Sequence, residues 1–166
     1  NEKGLIPGHY RGTHINIHEE ILLYNPEVVT CPSNYMFRRA FLKTHNVLFN
    51  SSLSSTADKF FLITATKFGK SAFNEELPPL YYRVVKNSMS HALTKGLVID
   101  NEVYYQQLVK NDLIPKTIQN KSLFLGDFIL FASFWKVNEK RKSVKYAIRS
   151  FCRNPIEFLW KCIIKK

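Results

Sequence analysis

The sequence predicts a mixed α/β domain followed by an all-helical, basic C-terminal region. Short extended segments alternate with helical patterns in the N-terminal half of the chain, and only helical patterns follow. The 166 residues are enough for a domain with a substantial core. We divide the chain into residues 1–116, the α/β part, and residues 117–166, the helical part.

Helix signals predict three helices in the first part, Ile17–Tyr24, Tyr35–Leu42 and Ala57–Phe68. Asn16 and Ser33 are the expected N-caps of the first two helices, and Gly69 stands at the C′ position of the third. Three short extended segments, Val28–Cys31, Lys70–Phe73 and Leu80–Val85, are expected to form the strands of the α/β domain.

Helical patterns alone follow from Asp100 onward. Asp100 is the expected cap of the first helix, and a strongly apolar helix is expected over Lys121–Val137. Two further helices are expected in residues 143–166. Asn154 can cap the second of them, with Pro155 in its first turn.

Composition excludes several classes of protein. Hydrophobic residues make up 45% of the chain and charged residues 22%, values close to globular averages that exclude wholesale disorder. The longest dense apolar stretch, Leu123–Trp135, is interrupted by Gly126 and Asp127 and is too short for a transmembrane helix. Three cysteines without a C-x-x-C pair favour a reducing compartment over a disulfide framework.

The positive charge is concentrated at the C-terminal end. The chain carries 24 Lys and Arg residues against 13 Asp and Glu residues, which gives a net charge of +11. Residues 136–166 contain ten of the basic residues and two of the acidic ones, so this region carries +8. A basic region of this kind seeks phosphate groups, either those of nucleic acid or those of anionic lipid.

Both terminal helices have amphipathic patterns. Apolar residues follow helical spacing at Val144, Ala147, Ile148, Phe151 and Cys152, and again at Ile156, Leu159, Trp160 and Ile163. The pattern is typical of helices at a membrane interface and places Phe151 and Trp160 in the membrane. Lys145, Arg149 and Arg153 recur on another face, where anionic headgroups would lie.

Two alternatives to the membrane interpretation stay open. The helices can form an ordinary amphipathic pair that covers the core with a solvated basic face. They can also bind nucleic acid through Lys140, Arg141 and Lys142, although no RNP pattern, zinc knuckle or recognition-helix signature accompanies the charge.

The chemistry-bearing motifs of the chain form three blocks. Gly-rich phosphate loops, H-E-x-x-H and G-x-S-x-G are absent from the sequence. The blocks are SNYMFRR at Ser33–Arg39, SSTADKFFL at Ser54–Leu62 and LYYRVVKNSMSH at Leu80–His91. In this order and spacing they resemble the acceptor-side half of bacterial family-2 glycosyltransferases with the GT-A fold, over about residues 7–97.

The resemblance implies transfer of a sugar from a nucleotide-sugar to an acceptor hydroxyl, with Asp58 as the catalytic base. The expected contacts to the acceptor and to the leaving diphosphate are Ser55, Thr56, Tyr82, Arg83 and Lys86. A divalent metal, Mg²⁺ or Mn²⁺, is expected from the family, with most of its ligands outside these 166 residues and His91 as a candidate ligand within them. A structural alternative for Asp58 is its Ser-x-x-Asp spacing to Ser55, a variant of the capping box.

The donor-binding half of such an enzyme is not recognisable in the 166 residues. No two aspartates have the D-x-D spacing that holds the metal in GT-A enzymes, and the chain begins with Asn1 rather than Met. We therefore expect the C-terminal part of a longer enzyme, inactive alone, on the cytoplasmic face of the cell membrane. Its expected partners are a nucleotide-sugar, a sugar or lipid-linked acceptor of polysaccharide or glycolipid synthesis, and anionic membrane. The alternative is a non-enzymatic module that binds anionic membrane or RNA through the basic helices.

Overall fold

A computed structural model of the chain describes residues 16–26, 28, 30–72, 74 and 93–164. The chain forms two compact units, Asn1–Ala92 and Leu93–Lys166. Helices hold 66% of the described residues, which include no strand. The predicted α/β fold is therefore wrong for the part of the chain that the structure describes.

The predicted strands fail for a simple physical reason. Val28, Thr30 and Cys31 form no strand and run directly into a 3₁₀ turn at Pro32–Asn34, and residues 70–72 are irregular. A short extended segment is stable as a strand only when a neighbouring strand satisfies its backbone N–H and C=O groups. The third predicted strand, Leu80–Val85, lies outside the described residues.

The first unit contains three α-helices, α1 (Ile17–Leu22), α2 (Arg39–Thr44) and α3 (Ala57–Phe68). The predictions for α1 and α3 are confirmed to within two residues. The predicted start of α2 is wrong, because Ser33 lies inside the 3₁₀ turn that begins at Pro32 and Arg38 occupies the N-cap position instead.

α3 is the central helix of the first unit. Its residues Phe61 and Ala65 are buried with Val47, and aromatic and aliphatic side chains before α3 pack against this cluster. α1 is attached to α3 through buried His18, whose Nδ1 lies 3.2 Å from the carbonyl oxygen of Ile63. A protein interior tolerates such a polar ring because it has a hydrogen-bonding partner.

Gly69 follows α3 as the sequence predicts. Glycines that end helices usually have a positive φ, but Gly69 does not. Its backbone is extended, with φ at −133°. A Cβ atom built on Gly69 would lie 2.8 Å from the ring of Phe41. Glycine is therefore needed here because the Phe41 ring packs against the backbone.

The second unit contains α4 (Lys95–Lys110), α5 (Gln119–Lys136), α6 (Lys140–Arg153) and α7 (Pro155–Ile164). The helices predicted for α5, α6 and α7 are confirmed. α4 begins earlier than predicted, because Thr94 rather than Asp100 is its N-cap and the Thr94 hydroxyl accepts a hydrogen bond from the Leu97 N–H at 3.2 Å.

Four of the helices end in the same way. Tyr24, Asn46, Asp112 and Asn138 follow α1, α2, α4 and α5, and all have positive φ. After α5, the N–H of Asn138 donates to the carbonyl of Trp135 and the N–H of Glu139 donates to that of Phe134, which is the Schellman arrangement. Asn and Asp adopt the left-handed conformation more readily than other side chains, which suits them to these positions.

α4, α5 and α6 share one core. Its buried members are Val98, Tyr105, Leu130, Phe134 and Tyr146. The rings of Phe134 and Tyr146 stack with centroids 5.8 Å apart and join α5 to α6. α7 contacts the other helices through Phe158, whose ring lies against those of Phe128 and Phe131.

α6 turns a polar face toward its neighbours. Ser143 and Ser150 are completely buried and donate hydrogen bonds to the α5 carbonyls of Phe131 and Phe124, at 3.0 and 3.2 Å. Because serine side chains are small, α6 can approach α5 closely along this face. These two contacts fit only one rotation of α6 about its own axis.

Asn154 caps the start of α7, as the sequence predicts, and the contribution of this cap can be measured. The Oδ1 atom of Asn154 accepts the Glu157 N–H at 3.1 Å, and its Nδ2 donates to the Glu157 carboxylate at 3.1 Å. Asn154→Ala removes both bonds and should ease local opening of α7 by about 1 kcal/mol. The exchange of the Glu157 amide hydrogen should become roughly fivefold faster.

Asn154→Ser is the matched control, because serine is also a favourable N-cap and should keep exchange near that of the parent protein. An unchanged exchange rate in Asn154→Ala would mean that the packing of Phe158, and not the cap, holds the start of α7.

Candidate functional site

Asp58 lies in a small cleft of the first unit. The cleft has a volume of about 180 Å³. It is lined by Thr30, Pro32, Tyr35, Phe37, Phe49, Asp58, Phe61 and Leu62. Four of these side chains are aromatic, so the cleft combines one carboxylate with largely apolar walls.

The aromatic walls are held by contacts among themselves. The ring of Phe49 stacks on Phe61 with centroids 4.4 Å apart, and Phe37 meets Phe61 edge-on at 5.3 Å. Burial raises the pKa of Tyr35, and the neighbouring Cys31 raises it further, so its hydroxyl is protonated at neutral pH. Apart from Asp58 the lining is uncharged, which suits a ligand with a flat apolar side and a hydroxyl group.

Asp58 is the second residue of α3. Its Oδ1 atom accepts the N–H of Lys59 at 2.7 Å, and the residue lies in the first turn of the helix. The N-cap of α3 is Thr56, which makes no side-chain cap hydrogen bond, so Ser55 does not occupy the N-cap position that the predicted capping box requires. The carboxylate is therefore placed to accept a proton from a hydroxyl group in the cleft.

Two of the other residues predicted for this site are described by the structure, and neither lines the cleft. Ser55 and Thr56 precede α3 and are not among the lining residues. Tyr82, Arg83, Lys86 and His91 lie outside the described residues. Within the described part of the chain, no group of three or more His, Cys, Asp or Glu residues could hold a metal ion.

The residues predicted to face a membrane fall into two groups. Phe151, Trp160 and Lys145 are exposed on α6 and α7. Arg149 and Arg153 instead contact the completely buried carboxylate of Asp127 on α5.

The contacts of Asp127 differ between its two oxygen atoms. The Nε of Arg153 donates to Oδ2 at 3.0 Å, while the Nε of Arg149 lies 3.3 Å from Oδ1 without an aligned hydrogen bond. Burial and the Asp127 carboxylate together raise the pKa of the adjacent Tyr105. Asp127 is therefore a buried anion whose charge is balanced by two arginines of α6.

Glu102 on α4 is a second buried acid that the sequence analysis missed. Its carboxylate accepts hydrogen bonds from the Tyr146 hydroxyl at 2.8 Å and from Lys142 Nζ at 2.5 Å. Burial raises the pKa of Tyr146, and the hydrogen bond to Glu102 raises it further. A single acidic residue on a predicted helix is normally solvated, so the sequence carries no signal for Glu102. Asp127 was visible only as a charge inside the most apolar stretch.

Comparison of the chain with protein-family models, with curated proteins and with solved structures finds no match. Among the described helices, none combines the length and the apolar content that crossing a bilayer requires.

Lys59, next to Asp58, has an environment that its sequence position does not reveal. Its Nζ lies 4.6 Å from the centre of the Tyr24 ring. Burial lowers the pKa of Lys59 to about 8, although the Asp58 carboxylate acts in the opposite direction. The side chain of Lys59 therefore carries a charge that is unfavourable in the folded first unit at neutral pH.

This pKa predicts how stability changes with pH. Between about pH 8 and the ordinary lysine value of 10.5, unfolded chains bind a proton at Lys59 that folded chains have lost. The free energy of unfolding should therefore rise across this interval. As the pH is raised through this interval, the melting temperature of the parent protein should increase relative to that of Lys59→Met, whose residue 59 binds no proton. Lys59→Arg, which stays charged, should behave like Lys59→Met. Parallel pH profiles for all three proteins would contradict the lowered pKa.

Proposed function

We propose that the first unit contributes the acceptor side of a sugar-transfer site centred on Asp58. The observation that supports this proposal is the position of the Asp58 carboxylate in a cleft with aromatic walls. Aromatic rings pack against the apolar C–H faces of sugars, and a carboxylate can accept the proton of a sugar hydroxyl. The proposal rests on this cleft and does not depend on the α/β fold.

The proposed chemistry is an inverting displacement. Asp58 accepts the proton of the acceptor hydroxyl as the oxygen of that group forms a bond to the anomeric carbon of the donor sugar. The bond from the anomeric carbon to the diphosphate breaks on the opposite side, and the diphosphate leaves with the electron pair. The nucleotide-sugar donor and the lipid-linked acceptor are predictions from the family resemblance.

The role of Asp58 can be tested in the full-length protein that the gene encodes. Nucleoside diphosphate release would be followed with a panel of nucleotide-sugars and simple sugar acceptors. Asp58→Asn keeps the shape of the side chain but removes the base, so we expect turnover to fall by about a hundredfold to ten-thousandfold.

Asp112→Asn is the matched control for this substitution. Asp112 is exposed at the end of α4 and has a φ of 49°, a conformation that asparagine also adopts, so turnover should not change. Retained turnover in Asp58→Asn would remove Asp58 from the mechanism.

Sugar binding can be measured separately from transfer. Methyl glycosides added to the protein should shift the amide resonances at the start of α3, and Phe49→Ala should weaken that response because the ring forms one wall of the cleft. Failure of every methyl glycoside to shift these resonances would overturn the assignment of the cleft to a sugar.

A further inference from the structure

α6 buries its polar face and exposes its apolar one. Because its two serines and Tyr146 point toward α4 and α5, the side chains of Val144, Ile148 and Phe151 lie on the opposite side of the helix. Ile148 is 58% exposed. An amphipathic helix of a globular domain normally has the reverse orientation, with its apolar stripe in the core.

α7 continues the exposed apolar surface. Ile156, Leu159, Trp160 and Ile163 are spaced as one helical stripe, and all four are exposed, Ile156 by 82%. The ring of Phe158, which attaches α7 to the other helices, meets Phe151 edge-on at 5.8 Å. The exposed stripes of α6 and α7 are therefore neighbours. We call the seven residues Val144, Ile148, Phe151, Ile156, Leu159, Trp160 and Ile163 the apolar face.

Basic side chains flank the α6 stripe on both sides. Lys140 lies on one side and Arg141 and Lys145 on the other, by helical spacing. All three are exposed, and none of them pairs with a carboxylate within the described residues. The Nζ of Lys140 lies 3.5 Å from the ring centre of Trp135, which is also exposed, so an aromatic side chain accompanies the basic group at this end of α6.

We propose that the apolar face docks on the surface of an anionic lipid bilayer, with α6 and α7 lying in the plane of the interface. The apolar face would enter the boundary between headgroups and acyl chains. Lys140, Arg141 and Lys145 would contact the anionic headgroups beside it. Trp160 would lie at headgroup depth, where tryptophan is favoured.

The charge and the apolar face together favour an anionic bilayer over a second copy of the chain or a nucleic acid as the binding partner. The second unit contains fourteen basic and six acidic residues, a net charge of +8, so a second copy on the same face would bring two strongly positive surfaces together. Nucleic acid would match the charge but would leave the apolar face uncovered. An anionic bilayer complements the basic residues and the apolar residues at once, and the inference does not depend on the sugar-transfer proposal.

Vesicle flotation of the full chain tests the proposal. We expect binding to mixed phosphatidylglycerol–phosphatidylcholine vesicles and much weaker binding to pure phosphatidylcholine vesicles. In a Trp135→Phe background, Trp160 is the remaining tryptophan, and its emission should shift to the blue on binding.

Two sets of variants separate the apolar contribution from the electrostatic one. Ile148→Ser with Leu159→Ser should lower the partition coefficient by at least about tenfold. Lys140→Gln, Arg141→Gln and Lys145→Gln together should lower it on the order of a hundredfold. The controls should bind like the parent protein: Val109→Ser, an exposed apolar residue of α4, and the triple change of the exposed Lys110, Lys116 and Lys121 to Gln.

Several results would overturn the proposal. Equal binding to both kinds of vesicle would show that anionic headgroups do not contribute to docking. Unchanged binding by the Ile148→Ser/Leu159→Ser variant would show that the apolar face does not contact the bilayer. Self-association that Ile148→Ser/Leu159→Ser abolishes, without vesicle binding by the parent protein, would assign the face to a second copy. Co-sedimentation with RNA and no flotation with vesicles would assign the basic residues to nucleic acid. Circular dichroism of each variant checks that the helices are retained.

Discussion

The second unit depends on the burial of two carboxylates, Glu102 on α4 and Asp127 on α5. A carboxylate removed from water is costly unless positive or hydrogen-bonding groups surround it. All of the partners that the structure shows for these two acids on α6 lie on one side of that helix: Lys142, Tyr146, Arg149 and Arg153. The two acids therefore select a single rotation of α6. The buried serines of α6 fit only that rotation, since both donate to carbonyl groups of α5.

The exposure of the apolar face follows from this selection. α6 has a polar edge and an apolar stripe on different sides, and only one of these sides can be buried against α4 and α5. Hydrophobic burial alone would favour the stripe of Val144, Ile148 and Phe151. Burial of the stripe would leave Glu102 and Asp127 without their α6 partners, and an unpaired buried charge is strongly destabilising. Sites at which a chain departs from the usual pattern of burial are often functional. This one combines exposed apolar side chains with basic neighbours that pair with no carboxylate in the described part of the chain.

Sequence patterns predicted the positions of the helices far better than they predicted strand pairing or which side of a helix is buried. α3, α5, α6 and α7 fall where capping residues and apolar spacing placed them, because those signals act within a few residues along the chain. The strands and the orientation of α6 depend on partners distant in sequence. Val28–Cys31 has the composition of a strand but no neighbouring strand among the described residues, and the orientation of α6 depends on acids of α4 and α5. In the candidate site, Asp58 was identifiable from a motif, whereas the aromatic walls come from three separate segments that only folding brings together.

The buried acids also divide the basic residues of the C-terminal region into two sets, which its net charge of +8 does not distinguish. Lys142, Arg149 and Arg153 balance charges inside the unit, so a nearby anionic surface gains little from them. Lys140, Arg141 and Lys145 have no such partner in the described part of the chain, and their fields extend into solvent. The unpaired set lies beside the apolar stripe of α6, whereas the paired set lies along the edge of α6 that faces Glu102 and Asp127. One helix thus uses the same residue types for two purposes, and the distinction between them is a consequence of where the acids of α4 and α5 are buried.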